Sequence, residues 1–266
     1  MKDIKSKLYK ILRGYYNVTY NSSGFIIYEP DFKIVSESYT IYEEYYDKAY
    51  HENVYTEEEL AELLISYDIW TPYDEDILSK LYSEVENKKL QAFESFANKK
   101  ELKVIKFGID RLTEQIHDLT RRKHQHDGLT CHSIAEHARL SWVVSRCIYT
   151  EDNKRAGVDD IAFFLVKYKD NQCKHIDIRE IAKSDYWKNL WNLSKKNKLF
   201  DRSVLDYSED QKSLLSLSMM YDNVYEHPAC PTEDIIKDNI CLDGWFIKQR
   251  NKSNDRKNEN SINNVL

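Results

Sequence analysis

Glycine and proline are scarce in this chain, six and four among 266 residues. Turn-dense sandwiches and barrels need many of both, so an all-β fold is hard to build from this composition and long helices are favoured. Six glycines also leave little room for a glycine-rich phosphate loop, and no Gly-x-Ser-x-Gly nucleophile elbow occurs. The five cysteines (Cys131, Cys147, Cys173, Cys230, Cys241) are odd in number, widely spaced and without a Cys-x-x-Cys pair. That pattern argues against a disulfide framework or a zinc ribbon and for reduced thiols in a cytoplasm. No stretch approaches ~18 uninterrupted apolar residues, and no apolar run of signal-peptide length follows the charged start, so neither membrane insertion nor export by that route is expected. With 39 basic against 45 acidic residues the net charge is -6, which gives no general pull toward nucleic acid or an anionic membrane.

What the chain has is aromatic mass: 20 Tyr, 9 Phe and 5 Trp within a 41% hydrophobic composition. That is enough to bury a real core, and with so few turn residues it predicts a mainly α protein. A short helix is expected over residues 2–13. The segments Tyr15 to Tyr20 and Phe25 to Tyr28, joined by Asn21-Ser22-Ser23-Gly24, have a β-hairpin signature. From Ser38 to Tyr50 the residues Tyr39, Tyr42, Tyr46 and Ala49 recur at helical spacing, and the stripe is read as core. Thr56 with Glu59 forms a capping box before Leu60, Leu63 and Leu64, and Thr71-Pro72 caps a long helix through Ile77, Leu78, Leu81, Val85, Leu90 and Phe93. A further helix from about Lys99 to Arg122 should pair with it as an antiparallel helical hairpin.

Asp127-Gly128-Leu129-Thr130 ends that helix and caps another, from Cys131 to about Ile148, expected to bury Ile134, Ala138, Trp142 and Val143. Residues 150–158 read as a polar loop, and the apolar run Ile161 to Val166 leans to helix. Helices are expected from Asp177 to about Lys196, burying Ile178, Ile181, Trp187, Leu190 and Trp191, and from Ser208 to Tyr225, where Met219 and Met220 are read as core filler. The organisation that emerges is an N-terminal helix and hairpin (1–35), a helical body (36–227), an acidic linker with a docking element (228–250), and a disordered Asn-, Lys- and Ser-rich tail (251–266).

The densest group of possible metal ligands is His124, His126, Cys131, His132 and His137. Two ligands sharing a helix face normally sit at i and i+4, whereas His132 and His137 are five apart, so these are read as surface or capping side chains. Cys173 and His175 could join them only if the fold allowed it. Arg121-Arg122-Lys123 could touch phosphate, but cations at a helix C-terminus complement its dipole and need no ligand. Acidic runs such as Glu57-Glu58-Glu59 and Asp74-Glu75-Asp76 lie in first helical turns for the same electrostatic reason. A Cys/His nucleophile pair is open in principle, with nothing to single one out. No catalytic residue, metal or cofactor is expected.

At the C-terminus, Pro228 and Pro231 precede Thr232-Glu233-Asp234-Ile235-Ile236-Lys237-Asp238 and then Cys241-Leu242-Asp243-Gly244-Trp245-Phe246-Ile247. Trp245, after a flexible glycine, Gly244, and flanked by Leu242, Phe246 and Ile247, suits an aromatic anchor that docks on a partner; folding back onto the protein's own core is the alternative. Asp234 and Asp238 would favour a basic partner. The candidate partner-binding residues are therefore Leu242, Trp245, Phe246, Ile247, Asp234 and Asp238.

The order of these elements resembles tail assembly chaperones and hub assembly proteins of large tailed bacteriophages. The hairpin, Tyr42 to Tyr50, Thr56-Glu57-Glu58-Glu59-Leu60, Ile69-Trp70-Thr71, the helical hairpin, Leu129-Thr130, Gln211 to Tyr225 and Leu242-Asp243-Gly244-Trp245 carry the likeness. Lys237 and Asn239 stand where acidic residues would be expected. The resemblance implies a non-enzymatic protein of the host cytoplasm that binds another phage structural or tail protein. A virion structural component and a nucleic-acid or transcription-associated factor acting through Arg121, Arg122 and Lys123 are the other readings.

Overall fold

The computed structural model describes residues 2–194, 199–200 and 203–263. In chain order the elements are α1 (Lys2–Arg13), β1 (Tyr15–Tyr20), β2 (Ser23–Tyr28), α2 (Phe32–His51), α3 (Glu57–Ser66), α4 (Pro72–Glu94), α5 (Lys99–Lys123), α6 (Cys131–Cys147), β3 (Ile148–Thr150), α7 (Ile161–Asn171), α8 (His175–Lys183), α9 (Asp185–Ser194), α10 (Glu209–Glu226), α11 (Glu233–Lys237) and α12 (Asn239–Asn263). The fold is mainly helical with one small antiparallel sheet. Two compact units result: residues 1–57 with 128–226, and residues 58–127 with 227–266. The sequence reading also places a break at 227. It does not separate 58–127 from the helical body or join the N-terminal hairpin to that body.

In the first unit, α1 ends at Gly14, whose φ of 67° turns the chain into β1 at a conformation only glycine adopts without strain. Asn21 and Ser22, both at positive φ, form the two-residue turn of the hairpin, and Tyr20 pairs with Ser23. β3 adds a third strand beside β2, with Phe25 opposite Thr150 and Ile27 opposite Ile148. The sequence ends a helix at about Ile148 and opens a polar loop at residue 150, so β3 is not announced. Ile27, Ile148, Val143, Val144, Cys147, Phe164 and Leu165 form the core between this sheet, α6 and α7.

Several sequence-level expectations are displaced. α2 starts at Phe32 because the Asp31 carboxylate caps the Ile34 N–H at 2.7 Å. Its buried residues are Ser38 and Ala49, while Tyr39 is exposed and Tyr42 stacks on Tyr46 at 5.9 Å, half-covered. On α6 the inward positions are Cys131, Ala135, Val143, Val144 and Cys147; the helix is rotated so that small residues meet its neighbours and Ile134 lies outside. Met219 on α10 is exposed as well, so it is not core filler. The helix expected from 177 to 196 breaks at Ser184, whose hydroxyl donates to Ile181 O at 2.7 Å and accepts from the Trp187 N–H, closing α8 and opening α9. Residues 195 and 196 lie outside the described residues.

α10 is locked at its start by a reciprocal pair. The Ser208 N–H donates to Gln211 Oε1 and the Gln211 N–H to Ser208 Oγ, while fully buried Gln211 also donates from Nε2 to Ile11 O at 2.8 Å. One side chain thus satisfies the first turn of α10 and the last turn of α1.

The second unit is built on the expected antiparallel hairpin of α4 and α5. Thr71 and Asp74 form a capping box at the start of α4, with Pro72 in the first turn. Leu60, Leu64, Trp70 and Leu78 form the core at one end, with Ile116 and Leu119 of α5 packed against them. α12 lies along α4, and its range takes in residues 251–263 of the segment expected to be a tail; residues 264–266 lie outside the described residues.

Candidate interaction surfaces

The C-terminal element is part of the second unit's own packing. After Pro231, Thr232 opens α11, and the Asp238 carboxylate caps α12 by accepting from the Ile240 and Cys241 N–H groups, each at 3.2 Å. Leu242 and Cys241 are fully buried and Trp245 is 4% exposed. The Trp245 Nε1–H donates to Ala229 O at 3.1 Å, and its ring meets His227 edge-on at 5.2 Å. A Cβ on Gly244 would fall 2.0 Å from the Lys89 carbonyl oxygen. This glycine provides close helix contact, not the flexibility the sequence suggests. Ion pairs Lys89–Asp243 (2.9 Å), Lys248–Glu94 (3.0 Å) and Arg250–Glu86 (2.7 Å) flank the contact. Of the six candidate residues, Leu242 and Trp245 are thus covered by their own unit. Phe246 and Ile247 are half-buried, Asp234 is exposed, and Asp238 pairs with Lys106. Within the stretch 228–250, α11 and the first half of α12 are helical, the latter because its apolar residues recur at helical spacing behind the Asp238 cap.

Asp238 also sets an acid response. Burial pushes its carboxyl up, but Lys106 and the Cys241 N–H outweigh this and hold it below the usual carboxylate range. A carboxylate depressed in the fold stabilises it above the unfolded value of about 3.9, and that contribution disappears as pH falls through the lower folded value. Urea unfolding should therefore show the second unit weakening below about pH 4. Asp238→Asn should flatten that acid limb while lowering stability at neutral pH; an unchanged limb in the variant would locate the acid response elsewhere.

The histidine and cysteine candidates scatter into local roles. His124 pairs with Asp127 at 2.7 Å, His132 with the Tyr42 hydroxyl at 2.7 Å, and Cys131 is buried with its thiol donating to Val54 O at 3.1 Å. His137 is exposed and His126 half-exposed. Among the described residues no three His, Cys, Asp or Glu side chains converge on a metal position. Arg121 pairs with Asp118, Arg122 with Asp74 and the Ile69 carbonyl, and Lys123 with Glu75, so the basic run is engaged internally. Hydrogen bonds from Thr71, with Arg122 beside them, hold Asp74 below the usual carboxylate range, and hydrogen bonds from Lys123 and then Trp70 do the same for Glu75. Cys173 borders a cavity of about 400 Å³ in the first unit, beside Glu29, Asp31, His175 and Asp210. Burial, then the Asp210 charge, pushes its thiol up to about 12, so it is protonated at neutral pH and a poor nucleophile.

Among comparisons with known proteins, no family model, curated protein or solved structure matches this chain.

What the described surface does offer is large apolar side chains held outward on ordered backbone. The densest group in the second unit is the corner between α3 and α4, where Tyr67 is 70%, Tyr73 71%, Ile65 48% and Ile69 37% exposed. The corner is fixed from beneath. Tyr67, Asp68, Ile69 and Trp70 donate their N–H groups to Leu63, Ile65 or Leu64 carbonyls, Arg122 donates to Ile69 O, and the Trp70 ring is buried. Asp68 sits at a φ of 53° at the bend. Ile69, Trp70 and Thr71 are recognisable in the sequence, but the outward direction of their neighbours depends on this bend. Four exposed apolar residues within nine positions would be the signal, and helical periodicity hides it by assigning Ile65 to α3.

Proposed function

We propose that the protein is a non-enzymatic phage assembly factor that holds another virion protein before or during tail or baseplate assembly in the host cytoplasm. Two things support the reading. The order of sequence elements resembles tail assembly chaperones, and the α3–α4 corner presents two tyrosines and two isoleucines to solvent on a hydrogen-bonded turn. That corner is the observation that carries it. Tyrosine on rigid backbone supplies large contact area with little conformational entropy lost on binding, and exposed apolar patches on helical scaffolds mark contact surfaces. The partner contact is assigned to this corner and not to Leu242 and Trp245, which would have to leave their own core to reach a partner. A nucleic-acid role is less well supported, because Arg121, Arg122 and Lys123 each already face a carboxylate.

Capture of the tagged protein from its native infected cell tests this. The wild type should recover one long structural protein. The doubly substituted Tyr67→Ser/Tyr73→Ser form should recover roughly thirtyfold less, corresponding to about 2 kcal/mol for a pair of aromatic contacts, with an unchanged unfolding midpoint. Recovery of polymerase or nucleic acid without a structural protein would sink the proposal.

A further inference from the structure

Two apolar surfaces of the first unit match in length among the described residues. α9 buries Trp187 and, partly, Trp191, which donate to Ser218 Oγ at 2.7 Å and Asp222 Oδ2 at 2.8 Å. The same helix turns Tyr186, Leu190 and Leu193 outward, 51%, 40% and 79% exposed. These three stand at i, i+4 and i+7, which places them in one stripe about 10 Å long. Asp185, Asn189 and Asn192 of α9 are exposed too, but Tyr186, Leu190 and Leu193 set an apolar stripe among them on a side that an amphipathic helix normally keeps polar.

The second surface is a groove of about 640 Å³ beside α2 and α6. Ile41 and Tyr45 line one wall, Ile134, Ala138 and Trp142 the other, and Ile161 at the start of α7 also borders it. Tyr45 and Ile134 are 41% and 39% exposed. From Ile134 to Ser145 the groove follows α6 for about 16 Å, long enough for the three side chains of such a stripe. Ala138, Ser141 and Ser145 keep its α6 side shallow, so a helix could approach closely.

Charge favours the same match. Glu44 stands in the groove with no ion-pair partner among the described residues. At the start of the α9 stripe the Lys5 ammonium lies 4.1 Å from the centroid of the Tyr186 ring, likewise without a carboxylate partner among the described residues. At these two positions the groove presents a carboxylate and the stripe an ammonium group.

We infer that the occupant of the groove is α9 of a second copy of this chain, giving a head-to-tail contact. Such a contact is heterologous. A head-to-tail dimer keeps one unused stripe on one molecule and one unused groove on the other, so association continues past the dimer into rings or open chains. The contact is small beside a standard interface, so weak association is expected, with a Kd on the order of 100 μM. This goes beyond the proposed partner binding, which uses the α3–α4 corner and neither of these surfaces.

Sedimentation velocity on the full chain tests it. The wild type should grow in mean mass with concentration and pass the dimer. Leu190→Glu/Leu193→Glu, lacking the stripe, and Tyr45→Glu/Ile134→Glu, lacking the groove, should each stay monomeric. Mixed together they should form a one-to-one complex that grows no further, because each supplies the half the other lacks. Two results would overturn the inference: a wild type that stays monomeric at the highest concentration, or a wild type that associates while the mixed variants stay apart. Neither result touches the capture of a structural protein through Tyr67 and Tyr73.

Discussion

Replacing Gly244 by alanine is expected to cost the second unit about 3 kcal/mol, despite alanine being the better helix former. The propensity gain is about 1 kcal/mol. Against it stands a methyl carbon 2.0 Å from the Lys89 carbonyl oxygen and 2.8 Å from the Phe93 Cβ. The obstacle is the backbone of α4, so no side chain can swing aside, and α12 must move off α4. Cys241, whose thiol reaches the Ala92 carbonyl at 3.6 Å, and buried Leu242 would lose contact with the same shift. The melting midpoint of the second unit should fall by roughly 10 °C. An alanine variant as stable as the wild type would mean that α12 does not pack closely on α4. By the same reasoning, truncation before Pro228 should unfold this unit and not merely remove a docking arm, which makes point variants the proper probe of partner binding.

Trp187→Ala is expected to have the other large effect, in the first unit. The ring is fully buried, stacks on Trp191 and on Phe200 with centroids 6.4 Å away in each case, and donates to Ser218 Oγ at 2.7 Å. Truncating a buried tryptophan costs about 3–5 kcal/mol, because the cavity left behind collapses only in part. Ser218 keeps its own donation to Leu214 O at 2.6 Å, so losing the indole N–H strands no buried hydroxyl proton. Trp187→Phe should therefore cost distinctly less than the alanine variant, about 1–2 kcal/mol. Equal losses in chemical denaturation would assign the effect to the hydrogen bond and not to packing.

The two effects show which parts of the fold are local. The α4–α5 hairpin was legible because Thr71, Pro72 and Asp74 specify a start and the apolar spacing runs through Leu78 and Leu112. The β-hairpin was legible from the polar turn at Asn21 and Ser22. What escaped depends on distant partners. Ile148 becomes a strand residue only because β2 lies beside it. The inward face of α6 is set by small residues, Cys131, Ala135 and Cys147, that a search for bulky side chains passes over. Gly244 and Trp245 read as a flexible joint and a free anchor because nothing local says that Lys89, some 150 residues earlier, occupies the space beside them. The exposed tyrosines at 67 and 73 look the same in sequence as Tyr42 and Tyr46, which are half-covered; only the bend at Asp68 separates them.

The measurement that bears most directly on the proposed phage assembly role is the amount of this protein in purified particles relative to infected-cell lysate, quantified by mass spectrometry. An assembly factor should be abundant in the lysate, bound there to a structural protein, and absent from finished particles. A fixed stoichiometric amount in the particles would contradict that role and make the protein a component of the virion.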